Sequence, residues 1–318
     1  MTCRFRLMYA ALAVALGFAA APTQAALPSY SAVYAFGDSL SDNGLAFSLT
    51  GGLPQAPYWN GRFSNGPVAV EYFAQGLGAP LVDLAIGGAT TGAFNADIAG
   101  SPTGVLSQLA FYKSIAVAGA DPKALYFVWA GPNDFLSADP ANFGSTAQAA
   151  INNLQFTVGT LYGLGARHFF LPLMPDLGLA PFAIGSGQSA YLSLVSQVFD
   201  QALANAYSAL GAFMPGADLT IFNTPVIQGN LTSFVASLGY DVTTPCFTGY
   251  VGIPGTVCPT PATSLYWDPI HPTTVGHYFT ALAMLGALPV VAVPEPATML
   301  MMGVGVLALI GLGRKRQS

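Results

Sequence analysis

The chain has 318 residues with 9 basic against 14 acidic side chains, a net charge of −5, and charged residues make up only 7% of it. Between the two ends only Arg62, Lys113, Lys123 and Arg167 are basic, whereas all but one of the acidic residues lie there. An acidic body disfavours nucleic acid and anionic membrane surface as partners, and a surface this poor in charge must be built from Ser, Thr, Asn, Gln, Gly and small apolar groups.

Residues 1–25 carry Arg4 and Arg6, run apolar from Leu7 to Ala21, and leave through Thr23-Gln24-Ala25. A basic start, an apolar middle and a small-residue exit predict a secretory signal peptide, cut after Ala25 or Ala26. The alternative, a retained anchor, needs a longer apolar part. The middle of the chain, residues 27–289, is long enough for one large domain. Strands are predicted over 32–36, 81–86, 124–130, 168–174 and 219–222, as continuous apolar runs that suit burial on both faces of a parallel sheet. Helices are predicted over 68–77, 105–117, 145–164, 188–213, 225–238 and 273–285. This alternation predicts an α/β fold, a three-layer α/β/α sandwich around a central parallel sheet.

Chemistry-bearing residues fall at strand ends. Ser39 lies in Gly37-Asp38-Ser39-Leu40, just after the first predicted strand, with Asp42-Asn43 expected to cap a following helix. Asn133 lies in Gly131-Pro132-Asn133-Asp134, just after the third. Asp268 and His271 sit three apart, each followed by a proline (Pro269 and Pro272), where one tight turn can bring both side chains to the same side. A serine hydroxyl needs an adjacent base, and the base needs a third group to fix its tautomer. Ser39, His271 and Asp268 are therefore the candidate nucleophile, base and orienter. Asp38 and Asp134 are read as caps of turns or helices, and His168 as structural. For His277 a structural role is favoured over a supporting one. No cluster has metal spacing, no glycine loop suits phosphate, and no cofactor is called for.

Two Gly/Pro-rich stretches, 50–65 and 239–263, are longer than ordinary connections and flank the candidate site. They are read as pocket walls, with Tyr58, Trp59, Phe63, Phe247, Tyr250, Tyr266 and Trp267 either lining the pocket or packing the loops onto the core. Cys3 would leave with the signal. Cys246 and Cys258 remain as an even pair in an oxidising compartment, which predicts a disulfide.

These blocks resemble the GDSL (SGNH) hydrolases, from about Ser31 to Leu285. Gly37-Asp38-Ser39-Leu40-Ser41-Asp42-Asn43-Gly44 matches the first block, Ile86-Gly87-Gly88-Ala89-Thr90 the second, Gly131-Pro132-Asn133-Asp134 the third and Asp268-Pro269-Ile270-His271 the last. Asn60-Gly61-Arg62-Phe63-Ser64-Asn65-Gly66-Pro67 is similar to a segment of the secreted lipase-like branch. The resemblance implies a flavodoxin-like strand order 2-1-3-4-5 and a Ser39-His271-Asp268 triad. It also implies an oxyanion hole from Ser39, Gly88 and Asn133. One departure is Asp83, where many members carry Asn, which puts the support of the second block in question. The implied activity is carboxylester hydrolysis on a small ester or lipid. The alternatives are an O-acetylesterase acting on polysaccharide and a non-catalytic matrix protein.

The end of the chain reads Pro294-Glu295-Pro296, an apolar run from Ala297 to Gly313, then Arg314-Lys315-Arg316. About 17 apolar residues reach ~25 Å as a helix, enough for a thin bilayer, with the basic cluster on the cytoplasmic side. The order, over 293–316, resembles the PEP-CTERM sorting tail of Gram-negative bacteria, in which an exosortase removes the helix. A plain single-span anchor is the alternative.

Overall fold

The computed structural model describes residues 24–293 except Ala99 and Ser137, so most of the predicted signal peptide and the apolar run 297–313 lie outside the described residues. The described chain falls into two units. In the smaller, strand β1 (Gln24–Ala26) pairs antiparallel with β7 (Val291–Val293).

The larger unit, Ser29–Leu288, is organised by a 5-stranded parallel sheet. Its strands are β2 (Val33–Gly37), β3 (Leu81–Asp83), β4 (Leu125–Trp129), β5 (His168–Pro172) and β6 (Asp218–Phe222), in the order β3-β2-β4-β5-β6. Counted from β2, this is the 2-1-3-4-5 order that the resemblance implies. The helices are α1 (Leu45–Thr50), α2 (Ala69–Leu77), α3 (Val105–Ile115), α4 (Pro132–Phe135), α5 (Phe143–Leu164), α6 (Pro181–Gly185), α7 (Ser189–Gly211), α8 (Thr224–Ser237) and α9 (Thr274–Gly286).

The strands read as unbroken apolar runs because alternate residues enter two different cores. Phe36, Tyr126, Val128, Phe169 and Leu171 pack with α3, α5 and α7 on one face. Val33, Ala35, Leu125, Phe127 and Phe170 pack with α2 and α9 on the other. That arrangement is a three-layer α/β/α sandwich, as predicted. Every crossover returns the chain in the same direction, so the loops at the carboxyl ends of β2, β3 and β4 gather at one edge, where sites form in such sheets.

Predicted boundaries hold to within a few residues, with one instructive exception. The run 81–86 pairs as a strand only over Leu81–Asp83. Beyond it Leu84 and Ile86 still donate to the carbonyls of Ala35 and Gly37 at 2.8 and 3.1 Å. The Asp83 carboxylate takes the N–H of Ala85 at 2.9 Å and turns the chain out of the ladder. The short helices α4 and α6 are absent from the sequence expectation, and α1 enters it only as the helix after Ser39; each is six residues or fewer, too short for an apolar period to register.

Candidate active site

Ser39 stands two residues beyond β2, at the start of a turn held by Asp38, whose Oδ1 accepts the Leu40 N–H at 3.0 Å. Asp42 closes that turn. Its carboxylate accepts the N–H groups of Gly44, Leu45 and Ala46 at the start of α1 and, at 2.7 Å, that of Gly87. The predicted helix cap is thus Asp42, and it also ties the serine turn to the second block. Asn43 does not cap; its N–H goes to Asp83 Oδ2 at 3.1 Å. Asp83 supports both loops with two carboxyl oxygens where an Asn would offer one acceptor, and burial pushes its pKa well up. Gln108 of α3 holds the backbone of Gly37 from both sides, at 2.9 and 2.8 Å.

The turn 268–271 delivers the other members. Asp268 Oδ1 accepts the N–H groups of Ile270 and His271 at 2.8 and 2.7 Å, while its Oδ2 meets His271 Nδ1 at 2.7 Å. His271 Nε2 lies 2.9 Å from Ser39 Oγ. The structure therefore brings Ser39, His271 and Asp268 into one hydrogen-bonded series, with all three buried. A further member is not visible in the sequence. The Tyr58 hydroxyl donates to Asp268 Oδ2 at 2.6 Å across 210 residues of chain, a separation that leaves no local signal. The His271 ring is flanked by Phe63 and by Tyr250, stacked at 11°. Burial pushes the His271 pKa down, but the charge and hydrogen bond of Asp268 outweigh it, and the net shift is upward from 6.5. For Asp268 burial pushes upward, yet His271 and the other donors hold it below the ordinary carboxylate range.

Gly88 and Asn133 meet through the second and third blocks. Asn133 Nδ2 donates to the Ala89 carbonyl at 3.0 Å, and Asp134 accepts from Thr91 N and Oγ1 at 2.9 and 2.7 Å. Asp134 is thus a tie between two loops and not the cap of its own turn. Gly88 adopts φ 77°, a left-handed conformation, and a Cβ there would collide with Asn95 and Asp97, so only glycine fits. Among the described residues the N–H groups of Ser39 and Gly88 donate to no protein acceptor, leaving them free for a ligand oxygen. Asn95, also without a sequence signal, fixes this loop through its amide, donating to Gly87 O at 2.8 Å and accepting from Asp97 N and Ile98 N.

The pocket beside Ser39 and His271 measures about 950 Å³, mouth included. Its walls differ from those expected. Of the seven aromatics only Tyr250 and Tyr266 line it; much of the rest comes from Leu40, Trp129, Leu136, Pro175 to Leu177, α8 and Leu265. Tyr58, Phe247 and Trp267 instead pack with Cys246 in a separate cluster. Phe63 packs with Ala46 and Ile86, and Trp59 is half-exposed under the Arg62 guanidinium. The long stretches pack the site from behind because their aromatics have closer apolar partners than the pocket offers. Cys246 and Cys258 are joined by a disulfide. Cys246 N donates to Tyr266 O at 3.1 Å, so the bridged loop braces the strand of chain that leads into Asp268. His277 Nδ1 accepts the Ala69 N–H at 3.2 Å; burial pushes its pKa down to about 3, so it stays neutral and structural. His168 opens β5 and lies beside Asp218 of β6, 3.1 Å away.

A parallel α/β/α sheet with a serine, a buried histidine and a buried aspartate in series at its carboxyl ends defines the class of protein. The chain belongs to the GDSL-like lipase/acylhydrolase family, whose model matches residues 33–284, and it carries a PEP-CTERM protein-sorting motif over 292–317. Phosphatidylcholine-sterol acyltransferase of Aeromonas hydrophila is 34% identical over 198 residues, 60% of this chain and 58% of that protein. Thermolabile hemolysin of Vibrio parahaemolyticus is 30% identical over 273 residues, 80% of this chain and 62% of that one. Esterase EstA of Pseudomonas aeruginosa is 30% identical over 174 residues, 51% and 26% respectively. The chain thus spans between 26% and 62% of the length of these relatives. Among solved structures, the acetylxylan esterase Axe2 of Geobacillus stearothermophilus is similar at a TM-score of 0.48 and 14% identity, covering 85% of this chain and 99% of that one.

Proposed function

We propose that this protein is an exported serine carboxylester hydrolase of the lipase/esterase type, with Ser39 as nucleophile, His271 as general base and Asp268 as its orienting anion. The single observation that carries the reading is the unbroken series from Ser39 Oγ through His271 to Asp268, opening onto the pocket. In the reaction His271 Nε2 takes the Ser39 proton as Oγ attacks the ester carbonyl carbon. The carbonyl electron pair moves onto oxygen, where the N–H groups of Ser39 and Gly88 and the Asn133 amide stabilise it. Collapse expels the alcohol, which leaves with the proton held by His271. Water then repeats the sequence on the acyl-enzyme, releasing the acid and restoring Ser39.

The mainly apolar pocket favours an acyl chain longer than acetate, so a lipid or medium-chain ester is preferred here to the acetylated polysaccharide alternative. The relative named for phosphatidylcholine and sterol leans the same way. A non-catalytic matrix role gives no reason for a buried aspartate, histidine and serine in series. Export is read from both ends: a signal peptide over 1–25, the hydrolase domain over 27–289, and the sorting tail over 293–316, processed by an exosortase-type enzyme. Among the described residues no helix is long and apolar enough to cross a membrane; the tail lies outside them. A panel of aryl esters of rising chain length, with acetylated glycan alongside, tests the reading. Turnover rising beyond acetate supports it, and hydrolysis of acetylated glycan alone favours the alternative.

A further inference from the structure

We propose that the pocket is a trough for an acyl chain that carries a neutral oxygen at its far end, recognised by the Tyr266 hydroxyl together with one of the two threonines that flank it on α8, Thr224 or Thr232. This rests on the hydrolase reading. The trough crosses the carboxyl ends of the sheet: Ser39 follows β2, Pro132 and Asn133 follow β4, Pro175 and Leu177 follow β5, and Thr224 opens α8 after β6. Three strand spacings separate β2 from β6 in the sheet order, which is ~14 Å at about 4.8 Å each. Its near part is apolar, walled by Leu40, Trp129, Leu136 and Leu177. A hydrocarbon chain fits there.

The far end changes character. Thr224, Gln228 and Thr232 recur at every fourth position of α8, so they share one face, and all three line the pocket. The Gln228 amide is fully engaged: Oε1 accepts the Asp176 N–H at 2.7 Å, and Nε2 donates to Asp176 O and to the Tyr266 hydroxyl at 3.3 and 3.2 Å. Tyr266 therefore accepts through its oxygen, and its own proton has no acceptor among the described residues. Thr224 and Thr232 Oγ1 are buried with no partner among the described residues, and Thr224 and Tyr266 are 4% and 3% exposed. Neighbouring helix hydroxyls behave differently: Ser233 and Thr280 each bond back to a carbonyl one turn earlier, at 2.9 Å. Thr224 and Thr232 stand about 12 Å apart along the helix, with the Tyr266 hydroxyl bonded to Gln228 between them, so one acceptor oxygen meets Tyr266 and one threonine; buried unclaimed O–H donors call for such an acceptor. No lysine or arginine lines the pocket and Asp176 stands at this end beside Gln228, so a phosphate or carboxylate end finds no counter-charge. A hydroxyl, ether or second ester oxygen satisfies both conditions.

The test compares p-nitrophenyl dodecanoate with its ω-hydroxy analogue, with the butyrate ester as control. The wild-type chain should prefer the ω-hydroxy ester by ~3–10-fold in kcat/KM, the span of one or two neutral hydrogen bonds. Thr224→Val with Thr232→Val should erase the preference, bringing the ω-hydroxy ester to the rate of the plain dodecanoate, while Thr224→Ser retains it. Equal rates on the two long esters, or a preference that survives the double valine variant with Tyr266→Phe added, would overturn the proposal. Calorimetry separates this from failure of the hydrolase reading. Methyl dodecanoate and its ω-hydroxy analogue are titrated into Ser39→Ala protein, which cannot turn them over. Tighter binding of the ω-hydroxy ester supports the trough even without turnover of any ester, and equal affinity overturns it.

Discussion

At the scale of single residues, the site depends on how Asp268 is shared. Its Oδ2 accepts from both His271 and Tyr58, so the phenol draws charge away from the imidazole. Tyr58→Phe keeps the ring in its aromatic cluster and removes only the donor. It should lower kcat/KM about tenfold, in line with a hydrogen bond to a charged group, and move the acid limb of the profile to higher pH, because a less engaged carboxylate binds imidazolium more strongly. A merely structural role would leave that limb in place. In the unaltered protein the limb itself should lie above 6.5, since Asp268 outweighs burial at His271 and only the neutral ring can accept the Ser39 proton; a kcat/KM profile between pH 5 and 8 on folded protein checks it. Asn133→Ala should cost about 100- to 1000-fold in kcat with little change in KM, because in the proposed mechanism its amide meets the developing oxyanion charge. Ser39, Asn133, Asp268 and His271 were legible in the sequence because each stands in a short block beside a strand end. Tyr58, Gln108 and Asn95 were not, because each acts on backbone or carboxylate that only the fold brings within reach.

At the scale of elements, what was readable was periodicity and what was not was company. Buried strands announced themselves as β-rich apolar runs, and the long helices by length. The loops 50–65 and 239–263 are legible as unusual, but Tyr58 and Phe247 close onto each other and onto the disulfide, and of their aromatics only Tyr250 lines the pocket. The wall of the pocket fell to α8, whose sequence Thr224-Pro225-Val226-Ile227-Gln228 carries no mark of a ligand-facing helix. Linking Cys246 to Cys258 closes a loop with a separation of 12, worth about 3 kcal/mol in the chain-entropy model. Replacing both cysteines with serine should lower the denaturation midpoint accordingly. It should also reduce activity, because the bridged loop braces Tyr266 through Cys246 N. Unchanged kcat/KM in that variant, measured well below its melting temperature, would show that the brace serves stability alone.

At the scale of the whole molecule, a chain so poor in charge places several of its acids inside. Burial pushes Asp38 up to about 7, Asp134 to about 6 and Asp200 to about 8. A carboxyl with a raised folded pKa binds its proton more tightly when folded, so its contribution is present at low pH and is lost as pH rises through the folded value. His271, also raised, loses its contribution in the same direction. His277, lowered to about 3, acts oppositely but only below its unfolded value of 6.5. Between pH 6.5 and 8 the signs of Asp38, Asp200 and His271 agree. The melting temperature should therefore fall by a few degrees across that window, and a rise measured by scanning calorimetry would contradict a role for the buried acids. The whole mechanism turns on Ser39, and the most direct measurement is mass spectrometry of the purified protein after exposure to an aryl phosphonate, with ester turnover followed in the same sample. The expected result is a single adduct on Ser39, loss of turnover in step with labelling, and neither adduct nor turnover in a folded Ser39→Ala variant. Full ester hydrolysis by that variant, or turnover that persists in fully labelled protein, would contradict the serine mechanism.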